Sequence, residues 1–408
     1  MINAGDTVWI LLSSAMVMLM TPGLALFYGG MVRQKNVLST LMMSFALLGV
    51  IGVLWALYGY SLSFGGDIGN VVGNLDFLGL MGVGQEPSDT YASTVPHLAF
   101  MAFQGMFAII TVALWTGGVV ERMKFSAFLL FAVLWFTLVY CPVAHWVWGD
   151  GGWLAGLGAL DFAGGTVVHV NAGMTALALS FLLKPRKGFR EGVPMEPGNI
   201  PLVIIGAGIL WFGWFGFNAG SSLAADGLAA SAFVATNISA AAGAVAWMFI
   251  AWRDRRPSAM GIATGAVAGL VAITPAAGFV HPIAAIPIGI GASIIGYYCI
   301  LWRTEKGIDE SLDVWAVHGM GGVWGALATG IFATATIGGV DGLLWGGGMQ
   351  FLKQIVGVVS VGVFAFIATW VLGKLVDRVV GLRVESHEEE VGLDISQHGE
   401  RAYGGVLP

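Results

Sequence analysis

Long apolar runs broken by short charged stretches set the pattern of this chain. Eleven such runs stand near residues 7–32, 37–64, 97–120, 125–148, 163–183, 201–220, 230–252, 258–274, 282–302, 313–334 and 348–376. An α-helix needs about 20 residues to cross the hydrocarbon core of a bilayer, and these runs supply them while using up most of the sequence. They predict an all-α integral membrane protein with eleven transmembrane helices and no separate soluble domain. The first run is read as a retained helix, because Met1 to Asp6 lacks the positive start of a secretory signal. The division that follows is a membrane domain over 1–380 and a tail over 381–408, expected to be cytoplasmic and regulatory.

Composition sharpens this. Of 408 residues, 57% are hydrophobic and only 10% charged, against about 25% charged in soluble domains; the mean hydropathy is +0.82. Glycine is abundant but sits among Leu, Ala, Phe and Trp, which reads as close helix packing.

Charge sets the orientation, since cytoplasmic loops collect Lys and Arg. With the N-terminus outside, the inner connections hold Arg33, Lys35, Arg122, Lys124, Lys184, Arg186, Lys187, Arg190, Arg253, Arg255, Arg256, Arg303 and Lys306, and the C-terminal end holds Lys374, Arg378, Arg383 and Arg401. Only Lys353 is left over, near the start of the last helix, where its stem allows it to snorkel outward. The expected setting is the inner (plasma) membrane, with several passes and a cytoplasmic C-terminus. The outer loops carry Asp67, Asp76, Glu86, Asp89, Asp150, Asp226 and Asp341, a modestly cation-attracting face. A net charge of −6 gives no argument for nucleic acid.

Helices one to five and six to ten form two halves of odd count, which would insert in opposite senses as an inverted repeat, with the last long helix added. His169 lies on the fifth helix of the first half and His318 on the fifth of the second. Each follows an acid, Asp161 eight residues before His169 and Asp313 five residues before His318. An imidazole at bilayer depth keeps two nitrogens that each want a partner, so two of them on matching helices mark a site.

The tail from Gly381 is polar and acid-rich, and by composition alone reads as a solvated end. No nucleotide-binding loop, hydrolase motif or dinucleotide fingerprint is present, so neither an enzyme nor a cofactor is indicated. Cys141 and Cys299 lack metal-ligand spacing and read as small buried hydrophobes. Charged residues are scarce inside the helices, which narrows the cargo to something small that is neutral for part of the crossing. Aromatic clusters at Phe103 and Phe107, at Trp146 and Trp148, and from Trp211 to Phe217 fit either an interfacial belt or a cage whose ring faces hold a small cation.

Five segments together resemble the ammonium transporter family, the Amt and methylammonium permease group related to the Rhesus glycoproteins. They are Asp161-Phe-Ala-Gly-Gly-Thr-Val-Val-His169, Gly213-Trp-Phe-Gly-Phe-Asn-Ala-Gly-Ser221, Thr274-Pro-Ala-Ala-Gly278, Val317-His-Gly319, and the tail pattern Gly392-Leu-Asp with His398-Gly-Glu. The resemblance implies that Phe107, Trp148 and Ser221, supported by Phe103, recruit ammonium at the outer side. It implies a phenyl gate of Phe107 and Phe217, a pore lined by His169 and His318, and Asp161 as a structural cap that also favours the cation. It further implies a homotrimer with one pore per subunit, transport of ammonium, ammonia or methylammonium, and a PII-type nitrogen regulator docking on the cytoplasmic face. Rival readings are an ammonium sensor of the same fold signalling through the tail, a bis-histidine haem protein, and a carbon dioxide permeability.

Overall fold

The computed structural model describes residues 1–254 and 256–404. Arg255, one of the cations assigned to the inner side, and tail residues 405–408 lie outside the described residues. Among the described residues, nine helices are long and apolar enough to cross a membrane. The chain is therefore an all-helical, multi-pass membrane protein.

In order, the helices are α1 (Ala4–Met31), α2 (Val37–Leu54, continuing through Trp55–Gly59 to Tyr60–Phe64), α3 (His97–Trp115) and α4 (Phe125–Trp135, Phe136–Tyr140, Cys141–Trp148). Next come α5 (Gly165–Val170, Asn171–Leu183), α6 (Ile200–Ala219), α7 (Gly227–Asp254) and α8 (Ala259–Ile273). The last are α9 (Ala285–Glu305), α10 (Trp315–Gly319, Met320–Phe332) and α11 (Gly348–Val380). The helix starts follow local chemistry: Asn3, Asn199 and Ser258 each accept backbone N–H bonds of α1, α6 and α8 that have no partner within the helix.

Four helices contain a widened π turn, in α2, α4, α5 and α10. Those of α5 and α10 carry His169 and His318, and such turns recur at functional sites because they redirect one side chain out of the helical rows. The two helices meet where glycine faces glycine: a Cβ on Gly173 would lie 2.2 Å from the Gly319 Cα. A Cβ on Gly322 would lie 2.7 Å from the Gly165 carbonyl and 3.0 Å from the His169 Cβ. The absence of side chains there sets the distance between the imidazoles.

Helix α5 is the most enclosed, with 78% of its most apolar stretch buried, against 33% for α7, α9 and α11. The latter three present Phe249, Trp252, Ile294, Val363, Ile367 and Val371 outward, an apolar outer face that suits lipid or another subunit.

At the end of the bundle that bears the tail, buried charges tie the connections together. Glu121 takes Arg33 at 3.0 Å and Arg186 at 2.6 Å, while Asp309 takes Arg122 at 2.9 Å and Arg186 at 2.7 Å. Burial acts to raise the Glu121 carboxyl, but Arg186 and Arg33 outweigh it and bring it down to about 2. The connections after α1, α3, α5 and α9 thus form one charged layer in which each carboxylate holds two guanidinium groups.

The tail is not a solvated end. After Gly381, with φ 73°, it turns back along the bundle and forms α12 (Ser386–Val391) and α13 (Leu393–His398). Glu389 and Asp394 are 3% and 2% exposed. Glu389 accepts the Lys187 N–H at 2.6 Å and pairs with Arg383 at 2.6 Å, and Asp394 accepts the Ser39 N–H at 2.8 Å. The tail carboxylate therefore serves the start of α2, where Asn36 makes no cap of its own because its side-chain oxygen takes the Leu393 N–H. Gly392, at φ 106°, is where a Cβ would strike the Lys35 carbonyl. Composition predicts solvation because it counts the acids; Glu389 and Asp394 are buried because each has a donor, while Glu385, Glu390 and Glu400 stay exposed.

Candidate functional site

Of the residues expected to act together, Phe107, Trp148, Ser221, Phe217, His169 and His318 line three successive cavities. At the end opposite the tail, a cavity of about 330 Å³ is walled by Phe107, Trp148, Ser221, Gln104, Phe100 and Phe162, among others. The Phe107 and Trp148 rings meet edge to face, with centroids 5.9 Å apart. Ser221 donates its hydroxyl to the Phe217 carbonyl at 2.8 Å, so its oxygen lone pairs are left to accept from a guest. Ring faces attract a small cation, and a hydroxyl oxygen beside them takes one of its N–H bonds.

Phe103 does not wall this cavity. It is fully buried behind Phe107, with centroids 4.9 Å apart, and touches Gly220, so its contribution is to hold Phe107. Gln104, which was not singled out from the sequence, lines the cavity, and its Oε1 is buried behind the surface without a hydrogen-bond partner. Its neighbours are apolar and aromatic, so only its position on α3, one turn before Phe107, could have drawn attention to it.

Beneath, Phe107 and Phe217 stack with centroids 4.2 Å apart and planes tilted by 33°. On the far side is a space of about 10 Å³ lined by Phe217, Trp214, Leu114, Val168, His169 and His318 among others, the room of one water molecule. His169 Nδ1 and His318 Nδ1 are 3.2 Å apart, so one carries the shared proton and the other accepts it. The other His169 nitrogen, Nε2, is buried without a partner. The His169 ring lies against Trp214, whose indole N–H donates to Thr274 Oγ1 at 2.8 Å. His318 also lines a third cavity, about 280 Å³, which opens at the tail end beside Tyr28, Trp247 and Asp313. His318 thus faces both the middle space and the tail side.

Asp161 lines none of the three. Its two oxygens accept from the N–H groups of Gly164, Gly165, Thr166 and Val167 at 2.6–3.2 Å, and from the Thr166 hydroxyl at 2.5 Å. The carboxylate is saturated by the start of α5, while the Asp161 carbonyl accepts the Trp148 indole N–H at 2.9 Å. Gln354 of α11 holds the same loop by both backbone groups of Leu160, at 2.7 Å each. Pro275 packs where a Gly165 Cβ would be, and its carbonyl takes the Phe162 N–H at 3.2 Å. Asp313 is not the counterpart of Asp161: it pairs with Arg303 at 2.5 Å and has φ 61°. The acid eight residues before His318 is Glu310, and it accepts the Trp315 N–H at 3.1 Å.

A model of the Ammonium Transporter Family matches residues 8–403. The ammonium transporter Amt1 of Archaeoglobus fulgidus is 51% identical over 98% of this chain and 99% of its own length. The crystal structure of Candida albicans Mep2 superposes with a TM-score of 0.89 at 36% identity, covering 95% of this chain and 88% of that one. A structure described as a sensor Amt protein superposes with a TM-score of 0.90 at 28% identity, over 97% and 98% of the two chains.

Proposed function

This chain belongs to the ammonium transporter family, and we propose that it carries ammonium across the membrane through its twin-histidine passage. The observation that carries the reading is the alignment of three cavities through Phe107, Phe217, His169 and His318, with a middle space the size of one small molecule. Ammonium is held at the outer cavity by the Phe107 and Trp148 faces, the Ser221 oxygen and the Gln104 Oε1. It gives up a proton before passing the phenyl pair, and the proton crosses separately, so that net charge moves with each ammonium taken up. A bare cation in the apolar middle space would lose its hydration at a cost of several kcal/mol, so ammonia is the species that crosses. Inside, His169 and His318 guide it with one donor and one acceptor.

The reading includes eleven crossings, with the shorter α8 and α10 completing the nine, an inverted five-helix repeat, the N-terminus outside and the tail in the cytoplasm. The paired π turns of α5 and α10 and the seventeen-to-one charge split support it. A homotrimer fits the outward apolar faces of α7, α9 and α11, and native mass measurement of the detergent-solubilised protein at a single-chain mass would refute it.

Ammonium-pulse currents on a supported membrane test the passage. Wild type is expected to give current, His169→Ala and His318→Ala to lose most of it, and Trp148→Leu and Gln104→Leu to raise the half-saturating concentration about tenfold, the effect of ~1.4 kcal/mol. Unchanged currents in all four variants would sink the assignment. The likeness to a sensor protein favours one second reading, ammonium sensing through the tail, which predicts binding without flux.

The packed tail acts as a regulatory clamp on the inner face and as part of the surface for a PII-type protein. Asp394→Ala removes the carboxylate at the start of α2 and is expected to lower the melting temperature and change flux, since a lost helix cap costs about 1 kcal/mol. Wild-type melting and flux in that variant, with unaltered PII binding by calorimetry, would remove the clamp from the account.

A further inference from the structure

Two buried acids precede the two imidazoles by the same eight residues, and they are bonded unequally. Asp161 accepts five hydrogen bonds. Glu310, fully buried, has Oε2 on the Trp315 N–H, and its Oε1 has no partner. Close by is a second unpartnered polar atom of opposite sense, the Nε of Arg303. The rest of that guanidinium is occupied, Nη2 by Asp313 at 2.5 Å and Nη1 by the Ile308 carbonyl.

We propose that Glu310 is a positioning residue whose proton occupancy sets how firmly the turn carrying His318 is held, so that passage responds to pH on the tail side. The inference rests on the reading of His318 as pore-lining. Ionised, the carboxylate makes a charge-assisted bond to the Trp315 N–H and offers Oε1 to the spare N–H of Arg303, joining α9 to the start of α10. Protonated, it is the weaker acceptor and Arg303 stays with Asp313 and the Ile308 carbonyl. The proton leaves Glu310 toward the tail-side water, whose nearest cavity is lined by Asp313, the partner of Arg303, and not by Glu310 itself.

Among the described residues, four titratable groups act on this carboxyl. Arg303 on α9 favours the ionised form and Asp313 on its own segment opposes it. Tyr28 on α1 is an interacting neighbour whose hydroxyl donates to the Leu114 carbonyl at 2.9 Å. Arg122 is committed to Asp309 and the Gly118 carbonyl. Burial dominates and pushes the Glu310 carboxyl up to about 7, in contrast to the Asp309 carboxyl one residue earlier, which Arg186 and Arg122 hold near 2 against burial. The sign follows: a raised acid is protonated below that value and ionised above it, so the firm state of the turn is the one at higher tail-side pH.

The test uses the full-length protein in liposomes, with ammonium pulses at fixed outer pH while the inner pH is stepped from about 6 to about 8. Wild type is expected to show a component rising about two- to fivefold, the size expected of one charged cap at a helix start. Glu310→Gln should be flat at the low-pH level, and Glu310→Asp should keep the inflection at a displaced pH. Superimposable scaled curves for wild type and Glu310→Gln would overturn the proposal. Infrared titration of wild type carrying isotope-labelled glutamate decides independently of flux and of the variants' folding. A buried carboxyl band lost across that pH interval supports the proposal, and one unchanged across it overturns it. Absence of any wild-type current would instead remove the pore reading, with the infrared result still deciding the ionisation.

Discussion

Gly173→Leu is expected to yield no folded protein. A Cβ at position 173 would lie 2.2 Å from the Gly319 Cα and 2.3 Å from the Gly319 N, both backbone atoms that cannot rotate away. To admit leucine, α5 and α10 must separate, and each is pinned at its start, α5 by Asp161 and α10 by Glu310. The cost exceeds the 1–3 kcal/mol of ordinary overpacking, because whole helices rather than side chains must move. Gly208→Leu is the control, since a Cβ there meets nothing within 4 Å. Size-exclusion profiles of the solubilised proteins read the difference: a sharp peak for Gly208→Leu, and aggregate or no protein for Gly173→Leu. A sharp peak with wild-type melting for Gly173→Leu would mean that the glycine crossing does not hold the bundle.

How much of this was legible in the sequence depends on the kind of signal. The apolar runs gave the helices because burial in lipid is written into every residue of a span, and their expected limits differ from the observed ones by a few residues. The π turns were not legible, since one widened turn leaves the hydrophobic pattern of a fully apolar segment unchanged. His169 and His318 stood out as lone polar residues among apolar ones. Gln104 did not, because its single spare oxygen matters only once the surrounding chain has closed over it. Asp313 was taken as the partner of Asp161 because it lies closer to the start of α10, but its carboxylate is used by Arg303, ten residues earlier in the chain. Helix-start chemistry passed to Glu310, which was not singled out although its eight-residue spacing from His318 is present in the sequence. The tail was misread for a related reason: the N–H groups of Lys187 and Ser39 that receive its acids are distant in sequence, and composition cannot see them.

Asp161→Ala is expected to destroy transport by undoing the start of α5. Removing the carboxylate leaves the N–H groups of Gly164, Gly165, Thr166 and Val167 without that acceptor in a segment where all four residues are buried. Each orphaned donor costs about 1–3 kcal/mol, so on the order of 5 kcal/mol is lost from one side chain. The loss reaches the outer cavity, because the neighbouring carbonyl of Asp161 holds the Trp148 indole. Asp161→Asn separates bonding from charge. One asparagine oxygen can still serve two of the donors, but its NH₂ then faces the N–H of Thr166, the N–H of Val167 and the Thr166 hydroxyl, of which only the hydroxyl can turn to accept. A cap built on acceptance therefore predicts that Asn melts well below wild type and passes little current at any ammonium concentration. If Asp161 acted chiefly by attracting a cation from a distance, Asn would melt like wild type and differ only in a raised half-saturating concentration. Thermal unfolding followed by fluorescence, paired with ammonium-pulse titration of the same preparation, separates the two, and a normally melting Asn variant would overturn the capping account.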